Sequence, residues 1–401
     1  MSQYYLNAVG LCCAIGASKV EIAETVFSRR AHDDNFLKKD FEYLHESDGY
    51  YIGRVKAVLP PIPDKLERYS SRNNRMLMLC FSQIETEVNA AIEKYGVNRV
   101  AVILGTSTSG IAEGESALFE RKDKGSFPAN YSAGVQETSD GSEFLAEWLG
   151  LENIAVTIST ACSSSAKAFS HAREMIAAGI CDAAIVGGVD SLCYLTVNGF
   201  HSLGALSDRS CNPFSQNRNG ISIGEGGALF LMSHEPSGVE ILAVGESSDA
   251  YSMTAPHPEG KGTEHSMRVA LDYAGLNAED IAYVNLHGTA TPHNDAMETL
   301  AVENIFGADI LCSSSKSMVG HTLGAAGALE TALCWLMLNN EFNPDRKALP
   351  HIWDNVCGED VTLRNFVKSE QSLPERGHLL ALSNFCAFGG SNASVILGEI
   401  K

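Results

Sequence analysis

The feature that most constrains this chain is a repeated unit. Residues 143–179 and 298–338 each read as a helix, a short Asn/Gly turn, a β-rich segment (Ile154 to Ser159; Ile310 to Ser314), a Ser-rich loop and an Ala-rich helix. Each copy is followed by a Gly-Gly pair that reads as a turn between strands, at residues 183–191 and 385–398. Self-similarity of this kind points to an internal duplication. The halves meet near residue 240, which divides the chain into residues 1–240 and 241–401. Helices alternating with continuous apolar strands, such as Arg99 to Gly105, predict an α/β fold with helices on both sheet faces.

The remaining N-terminal elements are plainer. Residues 4–12 read as an opening strand and 19–30 as a helix. An irregular stretch, 33–62, runs into the cluster Pro60-Pro61-Ile62-Pro63, and one long helix is expected from about Asp64 to Tyr95.

Charge narrows the function. With 29 Lys and Arg against 49 Asp and Glu, the net charge is −20. Such a chain repels phosphate backbones, which argues against general nucleic-acid binding. The 11 cysteines are odd in number and form no CxxC pair, so a reducing compartment is expected rather than a disulfide or zinc framework. The first basic residue is Lys19, and no apolar run approaches the ~18 residues of a membrane span. A soluble, cytoplasmic protein is the expectation.

Four motifs carry candidate chemistry. In the run Thr160 to Ala166 (TACSSSA), Cys162 follows a strand and opens a helix. Free amides and positive partial charge at a helix start favour a thiolate and can hold an oxyanion. Taken alone, the position suits an ordinary buried thiol equally well. His287, in Leu286 to Pro292 (LHGTATP), leaves the carboxyl end of an apolar strand, where ligand sites of α/β sheets lie. His321, in Ser315 to His321 (SKSMVGH), sits in the second repeat near the place of Cys162 in the first. Pseudo-symmetry would therefore point both into one central cavity. Lys316 and Glu330 flank His321 and can tune a histidine's tautomer and charge. The fourth motif, Asn384 to Asn392 (NFCAFGGSN), can bring a backbone N–H and the Phe388 ring over the thiol.

In this order and spacing, from about residue 99 onward, the motifs resemble those of the elongating β-ketoacyl-acyl-carrier-protein synthases. The resemblance implies a thiolase-like fold of two mixed β-sheets layered with helices (αβαβα), usually a homodimer, with a heterodimer with a related subunit as the alternative. It implies Cys162 as nucleophile, His287 and His321 as its partners, Lys316 and Glu330 as the family's lysine and glutamate, Thr289 and Thr291 on the phosphopantetheine arm, and Phe388 as gate. An acyl group would pass from carrier protein to Cys162, with the Cys162 and Phe388 amides as oxyanion hole. Both imidazoles would then support malonyl decarboxylation, with no metal or organic cofactor. Two departures stand out: Cys386 and Ala387 replace an aromatic and a glycine of the gating loop, and Thr108 replaces an apolar residue expected beside the acyl pocket.

The carrier protein is acidic, so a basic docking spot is expected. Lys65, Arg68, Arg72 and Arg75 would share one face of the long helix, Arg121, Lys122 and Lys124 form a second cluster, and Arg209 lies in a loop. A degradative thiolase would carry a second cysteine as base, where this chain has His321 and Phe388. A non-catalytic chain-length-factor-like partner usually lacks the nucleophile, which this chain keeps.

Overall fold

The computed structural model describes residues 3–44 and 49–400. Its strands are β1 (Tyr5–Cys12), β2 (Lys38–Asp40), β3 (Tyr50–Ile52), β4 (Val100–Gly105), β5 (Ala155–Ile158), β6 (Ala183–Asp190), β7 (Gly226–Ser233), β8 (Val239–Ser248), β9 (Tyr283–Asn285), β10 (Cys312–Ser313), β11 (Leu380–Cys386) and β12 (Ser391–Gly398). β2 and β3 pair with each other; the other ten join in the order β10-β9-β11-β12-β8-β1-β7-β6-β4-β5.

That sheet is two copies of one pattern. In each half of five strands, the middle strand pairs parallel on one side and antiparallel on the other: β6 with β4 and β7, β11 with β9 and β12. The order β5-β4-β6-β7-β1 is repeated as β10-β9-β11-β12-β8. Within the sheet the halves join where β1 meets β8, with Tyr5 opposite Glu240 and Leu6 opposite Val239.

The α-helices are α1 (Lys19–Val26), α2 (Arg30–Asp33), α3 (Arg72–Phe81), α4 (Glu85–Tyr95), α5 (Ile111–Lys124), α6 (Asp140–Leu149), α7 (Ser164–Ala177), α8 (Tyr194–Ser202), α9 (Lys261–Ala274), α10 (Pro292–Phe306), α11 (Lys316–Val319) and α12 (Ala326–Leu338), and α7 and α12 lie between the halves. Every residue of α12 is buried, as expected of a helix apolar all round. Small residues let the two meet closely: a Cβ on Gly327 would sit 2.3 Å from the Ala166 nitrogen. Ser165 Oγ donates to the Gly324 carbonyl at 2.6 Å and accepts from the Ala328 amide at 2.8 Å. Outer helices, α3 (Arg72–Phe81), α4 (Glu85–Tyr95) and α6 (Asp140–Leu149) on one side, α9 (Lys261–Ala274) and α10 (Pro292–Phe306) on the other, complete five layers. Among the described residues no helix is long and apolar enough to cross a membrane.

Three expectations are corrected. The long helix is broken into a 3₁₀ turn, Asp64–Tyr69, then α3 and α4. Ser71 is extended and its side chain caps the Asn74 amide, which starts a new helix there. The helix expected over 19–30 is split likewise, into Lys19–Val26 and Arg30–Asp33. The Gly187-Gly188 pair is no turn: β6 runs straight through it, in register with β7 up to Asp190 and Gly226. These glycines serve close approach instead, since a Cβ on Gly188 would lie 2.1 Å from the Gly105 oxygen. Gly389 and Gly390 do turn, with φ of 83° and 76°.

Candidate active site

The serines around Cys162 shape the turn after β5. Ser164 Oγ accepts from the Thr160 amide at 2.9 Å and donates to the Ala161 carbonyl, while Ser163 Oγ bonds Thr160 and Ser391. Ala161 is held at a φ of 53°, a conformation few side chains adopt, and this presents Cys162 just ahead of α7.

His321 reaches the same place from the other half. Its backbone is clamped by Ser222 and Gly224, through N–H to O distances of 2.7 and 2.9 Å. Its Nε2 lies 3.1 Å from Cys162 Sγ across 159 residues of sequence. His287 stands perpendicular to His321, ring centroids 5.2 Å apart and planes at 86°. All three are buried, at 5%, 3% and 1% exposure for Cys162, His321 and His287.

A buried ion pair sits behind the histidines. Lys316 Nζ lies 2.5 Å from Glu330 Oε1 and 3.3 Å from His287 Nδ1. An ammonium can only donate, so His287 Nδ1 accepts and its ring proton sits on Nε2, toward the cavity. Burial, with Lys316 nearby, holds both histidines well below the usual pKa, hence neutral. Burial also pushes Cys162 up to about 11, against the pull of Lys316 and of the Phe388 and Cys162 amides. The helix start therefore does not make a resting thiolate, contrary to the expectation from sequence. Desolvation outweighs it.

The sulfur and ring nitrogens of the three side chains lie within 4.8 Å of one another, a set of soft donors that zinc also favours. Lys316 opposes that use. It occupies His287 Nδ1, which keeps the ring proton on Nε2 and leaves that nitrogen no lone pair for a metal, and it adds positive charge.

The three residues line a cavity of about 500 Å³, together with Thr289, Thr291, Phe388, Phe200, Ile221 and Cys386. The Thr289 and Thr291 hydroxyls pair at 2.9 Å, and the Phe388 ring meets Phe200 at 5.5 Å. Cys386 Sγ lies 3.2 Å from Thr263 Oγ1, which ties this departure from the family loop to α9. Thr108 is not in the lining. Its hydroxyl donates to buried Asp190 at 2.9 Å, behind the Cys162 turn.

Sequence reasoning missed two buried carboxylates. Glu298 accepts from the His287 and Gly288 amides at 2.6 and 2.8 Å and from Asn384 Nδ2 at 2.9 Å. It binds the His287 turn to the strand that leads to Phe388. Asp190 accepts from Thr106, Ser107, Thr108 and the Ala325 amide, tying the loop after β4 to the segment after His321. For Asp190 the available signal was an acid closing an otherwise apolar strand; the helix that carries Glu298 is polar along its length and offered none.

The basic face expected at residues 65–75 does not form. Lys65 and Arg68 stand on the 3₁₀ turn, Arg68 pairing with Glu147 and Tyr69. Arg72 is bound to buried Glu225 at 2.8 and 2.5 Å, and Arg75 to the Pro60 and Leu59 carbonyls. Arg121 and Lys122 are exposed near the end of helix Ile111–Lys124, with Arg121 over the Phe127 ring at 4.8 Å. Arg209 is exposed beside Asp208, in the loop that leads to the cavity wall at Asn219.

Residues 30–237 match the family model described as the N-terminal domain of beta-ketoacyl synthase, and residues 239–348 its C-terminal domain. Nodulation protein E of Rhizobium meliloti (strain 1021) is 37% identical, covering 98% of each chain. A 3-oxoacyl-[acyl-carrier-protein] synthase 2 of Staphylococcus aureus (strain COL) is 29% identical over 85% of this chain and 84% of its own. Among solved structures, one of the ketosynthase ApeO in complex with its chain length factor ApeC, from Xenorhabdus doucetiae, superposes with a TM-score of 0.92 and 41% identity, covering 99% of this chain and 98% of that one. The ishigamide ketosynthase/chain length factor gives a TM-score of 0.86 at 25% identity over 100% of both chains. On the family match and on the thiol and two imidazoles meeting at one cavity, this chain belongs to the β-ketoacyl synthase family.

Proposed function

We propose that the chain joins an acyl thioester to malonyl-acyl carrier protein by decarboxylative Claisen condensation, with Cys162 carrying the acyl group. The observation that carries this is the approach of His321 Nε2 to Cys162 Sγ at 3.1 Å on the cavity wall, with the His287 ring perpendicular beside it. In the first step the Cys162 thiol passes its proton to His321 and attacks the thioester carbonyl. The Cys162 and Phe388 amides, which face the sulfur, hold the oxyanion; losing one such donor typically adds about 3–4 kcal/mol to a barrier. The proton leaves with the carrier thiol. In the second step, malonyl thioester oxygen accepts from His287 Nε2–H and from His321 in the neutral tautomer that carries its proton on Nε2, carbon dioxide departs, and the resulting enolate carbon attacks the acyl-cysteine. The β-ketoacyl product leaves on the carrier, Cys162 is expelled as a thiolate, and one proton taken up from water restores the thiol.

Thr289 and Thr291, at the cavity wall, are proposed to receive the phosphopantetheine arm. Arg121, Lys122 and Arg209 are the proposed carrier-docking cations, as they are exposed while Arg72 is not free. β5 is one end of the ten-stranded sheet, with Ile154 beside it 39% exposed, and is the proposed face for a second related subunit. A partner of the chain-length-factor kind is favoured by the assemblies named for ApeO and the ishigamide ketosynthase. We place the boundary of the duplicated halves near residue 240, and the protein in the cytoplasm on its eleven free thiols.

The test is intact-mass analysis after incubation with acyl carrier proteins of graded chain length and unsaturation. Expected is one acyl adduct, mapped to Cys162 and absent from Cys162→Ala. An adduct on another cysteine refutes the assignment. No adduct under any acyl donor favours the reading as a non-catalytic partner subunit.

A further inference from the structure

A second cavity, of about 760 Å³, opens at the β10 edge of the sheet, the end opposite β5. Its lining includes His351, Trp353 and Phe366, whose rings pack mutually: His351 on Phe366 at 4.7 Å, Trp353 on Phe366 at 5.0 Å, and His351 on Trp353 at 5.0 Å. Its volume is in the range of small-molecule sites, which are typically about 300–1,000 Å³.

Its polar groups are unfinished. His351 is 2% exposed, and its Nδ1 accepts from the Ser314 amide at 3.2 Å. The ring proton is therefore on Nε2, which is buried and makes no hydrogen bond. Burial holds this ring neutral, with its pKa lowered to about 3; the Pro213 carbonyl pulls the other way without completing a bond of normal geometry. His32 Nε2 and Thr362 Oγ1, also in the lining, are buried without partners. A buried polar group without a partner costs about 1–3 kcal/mol, so three in one cavity are unusual. On the rim, Arg364 and Lys368 are exposed, and neither side chain has an ion-pair partner among the described residues. Glu303 is the one carboxylate of the lining.

Rings, buried polar groups without partners and two exposed cations together select a planar aromatic anion. We propose that this cavity is a second ligand site, for a small aromatic carboxylate whose ring lies against Trp353 and whose charge meets Arg364 and Lys368. The site adjoins the back of the catalytic wall. Ser314, which binds His351, donates from Oγ to the Gly288 carbonyl at 3.1 Å, next to His287. Phe214 packs on His351 at 5.8 Å, and its ring would lie 2.8 Å from a Cβ on Gly288.

Cys357 gives a reporter, being the one exposed thiol among the described cysteines and part of the cavity lining. The experiment uses the full chain as Cys162→Ala, so that catalysis does not interfere, with 2-naphthoate as probe and 2-naphthamide as its uncharged counterpart. Calorimetry reads affinity, and mass spectrometry reads the rate of Cys357 alkylation. Expected are saturable naphthoate binding, at least tenfold weaker binding of the amide, at least tenfold weakening in Arg364→Glu/Lys368→Glu, and at least fivefold slower Cys357 alkylation at saturation. Both substituted residues are exposed, so the variant keeps its fold. The proposal is overturned by absence of saturable binding, by equal binding of the amide, by binding that survives the double charge reversal, or by unprotected Cys357.

Discussion

Lys316 offers the sharpest test of how the site is built. Its ammonium is 1% exposed and touches both Glu330 and His287 Nδ1. Lys316→Met leaves Glu330 buried without its counter-charge, and breaking one side of such a pair typically costs about 3–5 kcal/mol of stability. It also removes the donor that fixes the His287 tautomer. A hydrogen bond from a charged group is worth about 1.5–3 kcal/mol, so the preference for Nε2–H falls by about 10- to 150-fold. The two effects separate in the double variant Lys316→Met/Glu330→Gln, which has no unpaired charge. Its melting temperature should return toward wild type, while malonyl-carrier-protein decarboxylation stays about 10- to 100-fold down. Decarboxylation followed by release of acetyl-carrier protein, beside a thermal melt, reads both. Wild-type decarboxylation in the single variant, or a rate recovered together with stability in the double one, would show that Lys316 does not set the imidazole.

With Cys162 pushed to about 11 by burial, its alkylation by iodoacetamide should climb about tenfold per pH unit from 7 to 10; a plateau below pH 8 would mean a preformed thiolate. Asp295 is raised by burial from 3.8 to about 7, so the folded chain binds this proton more tightly than the unfolded one. The stabilisation is complete below pH 3.8 and is lost as pH rises through about 7. Relative to Asp295→Asn, the wild type should therefore lose about 4 kcal/mol between pH 4 and 8 in urea unfolding, and parallel curves would exclude the effect. Gly188→Ala drives a methyl against the Gly105 carbonyl and Ser165, 2.1 and 2.9 Å away. It should cost at least about 1–3 kcal/mol and slow Cys162 acylation by displacing α7, and an unchanged melt would show that the strands can part.

Much of the site was readable before any coordinates. Cys162, His287 and His321 are each announced by local features: a strand that ends, small residues that follow, a glycine-rich turn. Their convergence was legible from the repeat, because two copies of one unit present equivalent turns to one centre. The reading failed where a local pattern has two physical causes. A Gly-Gly pair signals a turn at Gly389 and Gly390, and close packing at Gly187 and Gly188; only the neighbouring backbone tells them apart. Likewise a helical spacing of cations cannot reveal that Arg72 is engaged by Glu225, 153 residues away.

The sequence by itself determined most of the strands and helices, their repeated order and the residue types that can exchange acyl groups, because strand and helix periodicity and turn chemistry are short-range properties. Tertiary structure alone decided which group governs which. Glu298 under the His287 turn, Asp190 behind Cys162, Thr108 turned from the cavity and the thiol's high pKa all arise from burial and pairing between distant segments. The energy of such a contact depends on the dielectric and the partners that folding supplies, and no local stretch of chain carries either.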